Sequence, residues 1–330
     1  GLLDLYVCNY AKWSLEINKY CGDEVRGHRI FCNPTVVEPE RHLLYHNDGD
    51  GHFHDAFTES GLSAIALARG QGVVAADVNH DGRIDLYVSN DLHPNWLFLN
   101  RGGGRFEDVS VLSGAAYDHL GRAQAGMGVD ASDANRDGRF ELFVTNYEGE
   151  HNAFYENLGN ELFQDVSYSR GLAAESVPYI GWGTAFADFD LDGWPDVVVT
   201  NGHTDNNLKD LGRDGDYQQP AGLWRNTDGQ FQFCGGAAAG NYFATTHVGR
   251  GLALADLDND GDWDVVMAHK DSAPALLRND MLPTSLTSDP PWIRLRLIGT
   301  QSHRDAIGAE ARLRQGSTTI VQQVKGGGSY

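Results

Sequence analysis

The sequence predicts an all-β fold, a β-propeller of four-stranded blades. Three observations carry that prediction. A D-x-[DN]-x-D-G-x-x-[DE] loop recurs four times, each time five residues after a glycine. Each recurrence is followed by a stretch that ends in Asn, with the pattern aromatic-x-Asn in all but the last copy. The 330 residues include 40 Gly and 10% aromatics, a composition that suits short strands and tight turns and not a helical bundle.

The elements follow in order. Residues 1–7, Gly-Leu-Leu-Asp-Leu-Tyr-Val, match 82–88 and read as the second half of a first copy. Full copies occupy 72–88 (GVVAADVNHDGRIDLYV), 128–144, 183–199 and 251–267. Their last acidic positions, Asp4, Asp85, Glu141, Asp196 and Asp264, recur at roughly 55-residue intervals, with extra material in two copies. Strand A of each unit is of the Gly-Val-Val-Ala-Ala type and strand B of the Ile-Asp-Leu-Tyr-Val type. Strand C is of the Trp-Leu-Phe-Leu type and strand D of the Phe-Glu-Asp-Val type. β-Branched and aromatic residues favour strands, and the partial alternation in A and B suits strands buried on both faces. A four-stranded unit repeating at this length is a propeller blade; the competing parallel β-helix has much shorter repeats. About five blades, the first incomplete, are therefore assigned to residues 1–285.

The recurring loop has the donor pattern of a calcium site. A hard cation takes six to eight oxygens at about 2.3–2.6 Å. Side chains at loop positions 1, 3 and 5 converge when the backbone curls, Gly at 6 permits the turn, position 7 offers a carbonyl and position 9 closes the set. Four intact loops are read this way. The first has Asp77, Asn79, Asp81 and Asp85 with the Arg83 carbonyl, and the second Asp133, Asn135, Asp137 and Glu141 with the Arg139 carbonyl. The third has Asp188, Asp190, Asp192 and Asp196 with the Trp194 carbonyl, and the fourth Asp256, Asp258, Asp260 and Asp264 with the Asp262 carbonyl. Asp4 is the closing carboxylate of a fifth loop, incomplete at the N-terminus. An EF-hand would place Glu at position 12, where this chain has Val88, Val144, Val199 and Met267. Asx capping of backbone amides explains one polar turn. It does not explain three or four acidic groups packed together four times, which repel unless a cation lies between them.

These residues resemble the FG-GAP/VCBS repeats, the calcium-binding blades of integrin α heads. The tail resembles the ASPIC/UnbV domain in Trp292-Ile293-Arg294-Leu295-Arg296-Leu297, in residues 301–309 (QSHRDAIGA) and in residues 326–330 (GGGSY). Together the two are similar to the bacterial relatives of cartilage acidic protein. The resemblance implies a partial small β domain over residues 290–330 and an internal segment of a longer, secreted or surface protein. Cys21 and Cys32 bracket residues 11–41, an insertion without apolar periodicity. A disulfide would staple it, free thiols are the alternative, and the resemblance supports the pairing. Cys8 and Cys234 read as single buried thiols.

Other classes fall away. With 25 Lys+Arg against 46 Asp+Glu the net charge is −21, which disfavours nucleic acid and anionic membrane surfaces. Calcium would offset only part of it. Apolar runs such as 65–68 are far short of the roughly 20 residues of a membrane helix. There is no HExxH, GxSxG, P-loop or CxxC. The alternating His52 and His54 read as one exposed face, not as a metal pair. The Gly pairs Gly70/Gly72, Gly126/Gly128, Gly181/Gly183 and Gly249/Gly251 recur in every unit and read as scaffold, not as a dinucleotide fingerprint.

Strand order then places the function. A–B turns lie on one propeller face and B–C connections on the other. Both long insertions, 11–41 and 203–220, are B–C connections, opposite the acidic loops. So are Asn9, Asn90, Asn146, Asn201 and His269, which end strand B, and the insertion residues Asp205, Asp210, Asp214, Asp216 and Tyr217. The reading that follows is a calcium-stabilised binding or adhesion module, secreted, periplasmic or at the cell surface, which takes a protein or glycan partner on the B–C face. A polysaccharide-active enzyme with its site on that face and a structural subunit of an extracellular assembly are the alternatives.

Overall fold

The computed structural model describes residues 2–65, 67–280, 293–316 and 318–330. Gly1, Trp292 and the boundary at 285–290 lie outside the described residues. Five antiparallel sheets follow one another along the chain, with strands A-B-C-D in sequence order in the three middle blades, B-C-D in the first and A-B-C in the last among the described residues. Blade 1 has strands Leu5–Val7, Leu43–Asn47 and Phe53–Asp55. Blade 2 has Gly70–Ala76, Asp85–Asn90, Trp96–Gly102 and Arg105–Asp108. Blade 3 has Val129–Ser132, Glu141–Val144, Ala153–Gly159 and Leu162–Asp165. Blade 4 has Gly181–Ala187, Asp196–Asn201, Gly222–Thr227 and Gln230–Phe233. Blade 5 has Gly249–Ala255, Asp264–His269 and Ala275–Leu277. This is the five-blade propeller that the repeats predict.

The core lies between blades. Val74, Tyr87, Leu97 and Leu99 of blade 2 pack on Val129, Leu142 and Tyr155 of blade 3. Phe143 and Phe154 of blade 3 pack on Phe186, Val197 and Trp224 of blade 4. Each such side chain contributes about 1.5–3 kcal/mol through burial. Since both faces of a middle blade are covered, strand B of blades 2 and 4 is buried along its whole length.

The recurrent glycines set the blade spacing. A Cβ on Gly72 would stand 2.4 Å from the Met127 carbonyl oxygen of the next blade, and one on Gly128 would stand 2.0 Å from that of Trp182. The Thr145 hydroxyl donates across the second of these seams, to the Trp182 carbonyl, and the Thr200 hydroxyl across the seam between blades 4 and 5, to the Arg250 carbonyl, both at 2.7 Å. Each A–B loop turns through two left-handed residues. Position 4 is His80, Arg136, Leu191 or Asn259, and position 6 is Gly82, Gly138, Gly193 or Gly261, where glycine adopts positive φ without steric cost.

The C-terminal segment returns to the propeller. A hairpin of Glu310–Gln315 and Thr318–Gln323 lies on the acidic-loop face, where Gln323 Oε1 accepts the Asp77 amide at 2.9 Å. The chain then runs along the inner strands. Gly326–Gly327 adds a strand to the free edge of Gly70–Ala76, Ser329 bonds both ways with Val129, and Tyr330 meets the ring of Trp182 at 4.8 Å on the opposite face.

Candidate functional site

The acidic loops converge as their spacing requires. Carboxylate oxygens of Asp188, Asp190 and Asp196 lie within 4.8 Å of one another, as do those of Asp256, Asp258 and Asp260. In the first three loops position 1 accepts the amide of position 6: Gly82 N to Asp77 at 2.8 Å, Gly138 N to Asp133 at 3.1 Å and Gly193 N to Asp188 at 2.7 Å. In the first two loops Arg83 pairs with Asp81 and Arg139 with Asp137. Arg225 reaches Asp190 at 2.5 Å and Asp192 at 3.3 Å, and Arg294 pairs with Asp256. Three buried oxygens, Asp133 Oδ1, Asp256 Oδ1 and Asp262 Oδ1, have no hydrogen-bond partner among the described residues. Burial, reinforced by neighbouring loop carboxylates, pushes Asp133 and Asp188 up to about 6 and Asp85 and Asp196 up to about 7. Such a crowd of buried carboxylates favours a proton or a cation.

Position 9 also works inside the blade. Asp85 accepts the amides of Val78 at 3.1 Å and Asn100 at 2.8 Å, and Asp196 those of Phe189 at 3.1 Å and Asn226 at 2.8 Å. Asp264 repeats this with Leu257 and Asn279. Asp4 accepts the Asn47 amide at 2.9 Å, the same bond in a blade with only half a loop. The position-9 carboxylate thus ties its loop to strand C.

On the opposite face a cavity of about 790 Å³ opens at the propeller axis. Its walls follow the repeat. The middle residues of the four Gly-x-Gly triplets, Gln71, Met127, Trp182 and Arg250, all line it. Strand A shifts register at the triplets of blades 2, 4 and 5, and such a bulge re-aims a side chain. The residues that follow the strand-B ends, Tyr10, Asp91, Tyr147 and Lys270, line it as well. Arg250 lies over the Trp182 ring, 4.1 Å from its centroid. Tyr10 Oη donates to Asp91 Oδ2 at 2.7 Å, while Asp91 Oδ1 is buried without a partner. Burial raises the carboxyls of Asp91 and Glu150 above their usual range.

The strand-end residues themselves face elsewhere. Asn9, Asn90, Asn146 and Asn201 donate to carbonyls of their own B–C connections, of Arg41, Pro94, His151 and Pro220, at 2.7–2.8 Å. His269 Nε2 lies 2.6 Å from Tyr242 Oη. Of the insertion residues, Asp205 lines the cavity, buried against Arg213 at 3.4 Å and the Phe31 amide at 2.8 Å. Asp210, Asp214 and Asp216 are exposed, and Tyr217 bonds Asp271 at 2.9 Å. Cys21 and Cys32 form a disulfide, with Cα atoms 5.2 Å apart. The two insertions touch, since Asn207 Nδ2 also donates to the Arg29 carbonyl at 3.0 Å.

The cavity walls carried a sequence signal, the varied residue between paired glycines. A second cluster had a fainter one. His119, His151 and Asp165 bring their ligand atoms within 4.8 Å. Aligned repeats place Asp108 and Asp165 alike at the end of strand D, but only blade 3 has His, in place of Pro94, ahead of strand C. Burial works against ionisation of Asp165, but hydrogen bonds from His151 and Ser167 outweigh it and hold the carboxyl down at about 2.

With this geometry in view, known proteins show clear likenesses. The profile of the FG-GAP-like repeat matches residues 35–88, 77–144 and 133–199, together half of the chain. Cartilage acidic protein 1 of Mus musculus is 24% identical over 291 residues, and that of Homo sapiens 25% identical, each over 82% of this chain. The Xenopus tropicalis protein is 27% identical over 267 residues, 79% of this chain. The chain spans little more than a third of the length of these relatives, 36–37%. A solved structure described as the structural basis of specific recognition of non-reducing terminal N-acetylglucosamine by an Agrocybe aegerita lectin aligns with a TM-score of 0.38 and 16% identity, over 74% of this chain and 61% of that one. That likeness is too distant to carry an argument.

Proposed function

The chain belongs to the FG-GAP-like repeat family, and on that premise we propose that it is a calcium-stabilised binding module that takes a polar partner in the axial cavity of its B–C face. The cavity carries this reading. Every blade contributes a wall residue to it, its volume of about 790 Å³ falls in the range of ligand sites, and Asp91 Oδ1 is a buried acceptor without a donor. Aromatic rings of Tyr10, Tyr147 and Trp182 beside carboxylates suit a glycan unit or a polar protein loop more than a greasy cofactor.

Calcium is the ion we assign to the loops. Their donors are oxygens, and the orphaned oxygens of Asp133, Asp256 and Asp262 fit a hard cation. The ion would hold Asp188, Asp190, Asp192 and Asp196, and their counterparts in the other loops, so that each A–B turn stays closed. A secreted or surface setting is proposed from the disulfide and the similarity to cartilage acidic protein 1. No helix among the described residues is long and apolar enough to cross a membrane. Residues 293–330 are proposed to be part of an ASPIC/UnbV-like domain.

The test is a glycan array and a pull-down under calcium with wild type, Asp91→Asn and Trp182→Ala. Binding that both variants lose supports the reading. Binding that both retain, with unchanged calcium-dependent melting, rules the cavity out, and release of a product from a bound glycan would make the protein an enzyme.

A further inference from the structure

We propose that His119, His151 and Asp165 form a metal site of a second chemical kind, for a borderline transition ion such as Zn²⁺, on the face opposite the acidic loops. His151 Nε2 lies 3.0 Å and His119 Nδ1 3.4 Å from the same oxygen, Asp165 Oδ2. Ligands about 2.0–2.2 Å from a tetrahedral ion stand about 3.3 Å apart, so the two His–Asp separations are within a few tenths of an ångström of that spacing, and the two imidazole nitrogens lie within 4.8 Å of each other. His151 and Asp165 have side chains 3% and 2% exposed, whereas that of His119 is 37% exposed. Two ligands are therefore held by the blade and the third faces solvent, which leaves a route of entry and an open coordination position.

Three elements bring the cluster together. Asp165 ends strand D of blade 3, His151 precedes its strand C, and His119 lies in the connection from blade 2 to blade 3. Asp165 is oriented from behind, because its other oxygen accepts the Ser167 amide at 3.0 Å and the Ser167 hydroxyl. Carboxylates with such partners make well-positioned ligands. The Tyr168 ring packs on both imidazoles, 5.2 Å from His119 and 5.0 Å from His151. Arg122, in the same connection as His119, is held by Asp118 at 2.8 Å. Two imidazoles and one carboxylate select zinc-like ions, while the all-oxygen loops select calcium.

Zn²⁺ titrated calorimetrically into the whole chain, in excess Ca²⁺, should fill one saturable site. His119→Ala and Asp165→Asn should each weaken that site about 100-fold or more, and Co²⁺ should give a visible d–d band in wild type that His119→Ala removes. His119 lies outside the core, so its variant should melt like wild type and keeps the test decisive if Asp165→Asn fails to fold. A His46→Ala control should bind like wild type. Absence of a saturable Zn²⁺ site, or equal affinity in wild type and His119→Ala, overturns the proposal.

Discussion

Asn226 Nδ2 donates at 2.8 Å to the carbonyl oxygen of Ala134, 92 residues earlier and one blade back. Asn157 makes the same bond to Val78 at 2.9 Å, and Asn279 to Phe189 at 2.7 Å. In each case the acceptor is the second residue of the preceding acidic loop. The Asn that ends strand C therefore fastens one blade to the loop of the blade before it. Asn226→Ala removes the donor from a buried carbonyl and should cost about 1–3 kcal/mol in chemical denaturation. Asn100 makes no cross-blade bond among the described residues: its Nδ2 donates to the Ile84 carbonyl and its Oδ1 accepts the Gly102 amide, both within its own blade, and Asn100→Ala should cost less. Equal costs would show that the cross-blade bond is worth nothing.

Chelation should lower the melting temperature. A ligand that binds only the folded state adds about 2.7 kcal/mol per site at 100 times its Kd. Calorimetric scans in chelator and in millimolar Ca²⁺ should separate, and Asp188→Ala should reduce the separation. Superimposable scans would remove calcium from the account of the loops.

Gly128→Ala should destabilise the propeller by about 2 kcal/mol or more through overpacking, because its Cβ would stand 2.0 Å from a backbone carbonyl that belongs to the next blade. A Cβ on Gly251, the equivalent residue of blade 5, would meet only Ala268 Cβ at 3.6 Å and the Tyr330 carbonyl oxygen at 3.7 Å, so Gly251→Ala should be close to neutral. Urea midpoints of the two variants make the comparison.

His42 gives the fold an acid-labile seam. Its ring is fully buried, with Tyr6 Oη 2.9 Å from Nδ1 and the Trp96 ring at 4.8 Å, and burial pushes the imidazole down to about 4. The folded state thus prefers neutral His42. Its contribution is complete above the unfolded value near 6.5 and is lost as pH falls from there toward 4, up to about 3 kcal/mol. His42→Phe should not show this loss, so the stability of wild type relative to the variant should decline between pH 7 and 4.5. A pH-independent difference would contradict the assignment.

Repetition made much of this legible. Asp4 could be read as a position-9 residue from seven residues of sequence, because Asp85, Asp196 and Asp264 occupy the same place before the same strand, and its bond to Asn47 repeats theirs. Repetition was less informative at the cavity. Asn90 and Asp91 are adjacent, but the Asn side chain satisfies its own turn and the next residue faces the axis. Which of two neighbours points inward depends on where strand B ends, and a local pattern does not specify that. The His119 cluster was hidden for a different reason. Its members come from two connections and the end of a strand, and nothing in their spacing marks them as partners.

The inward return of residues 326–330 bears on the order in which the molecule assembles. Contacts within a blade span short stretches, such as the 30 residues between Asp196 and Asn226. The amide of Asp77 and the side chain of Gln323 meet across 246. Closing a loop eight times longer costs about 2 kcal/mol more in chain entropy, and the inner edge of Gly70–Ala76 exists only once blade 2 has formed. The tail is therefore expected to be the last strand to pair and the first to leave. Amide exchange at Gly328, whose N–H is held by the Val73 carbonyl at 2.8 Å, would report on how often the propeller axis opens while its blades stay folded.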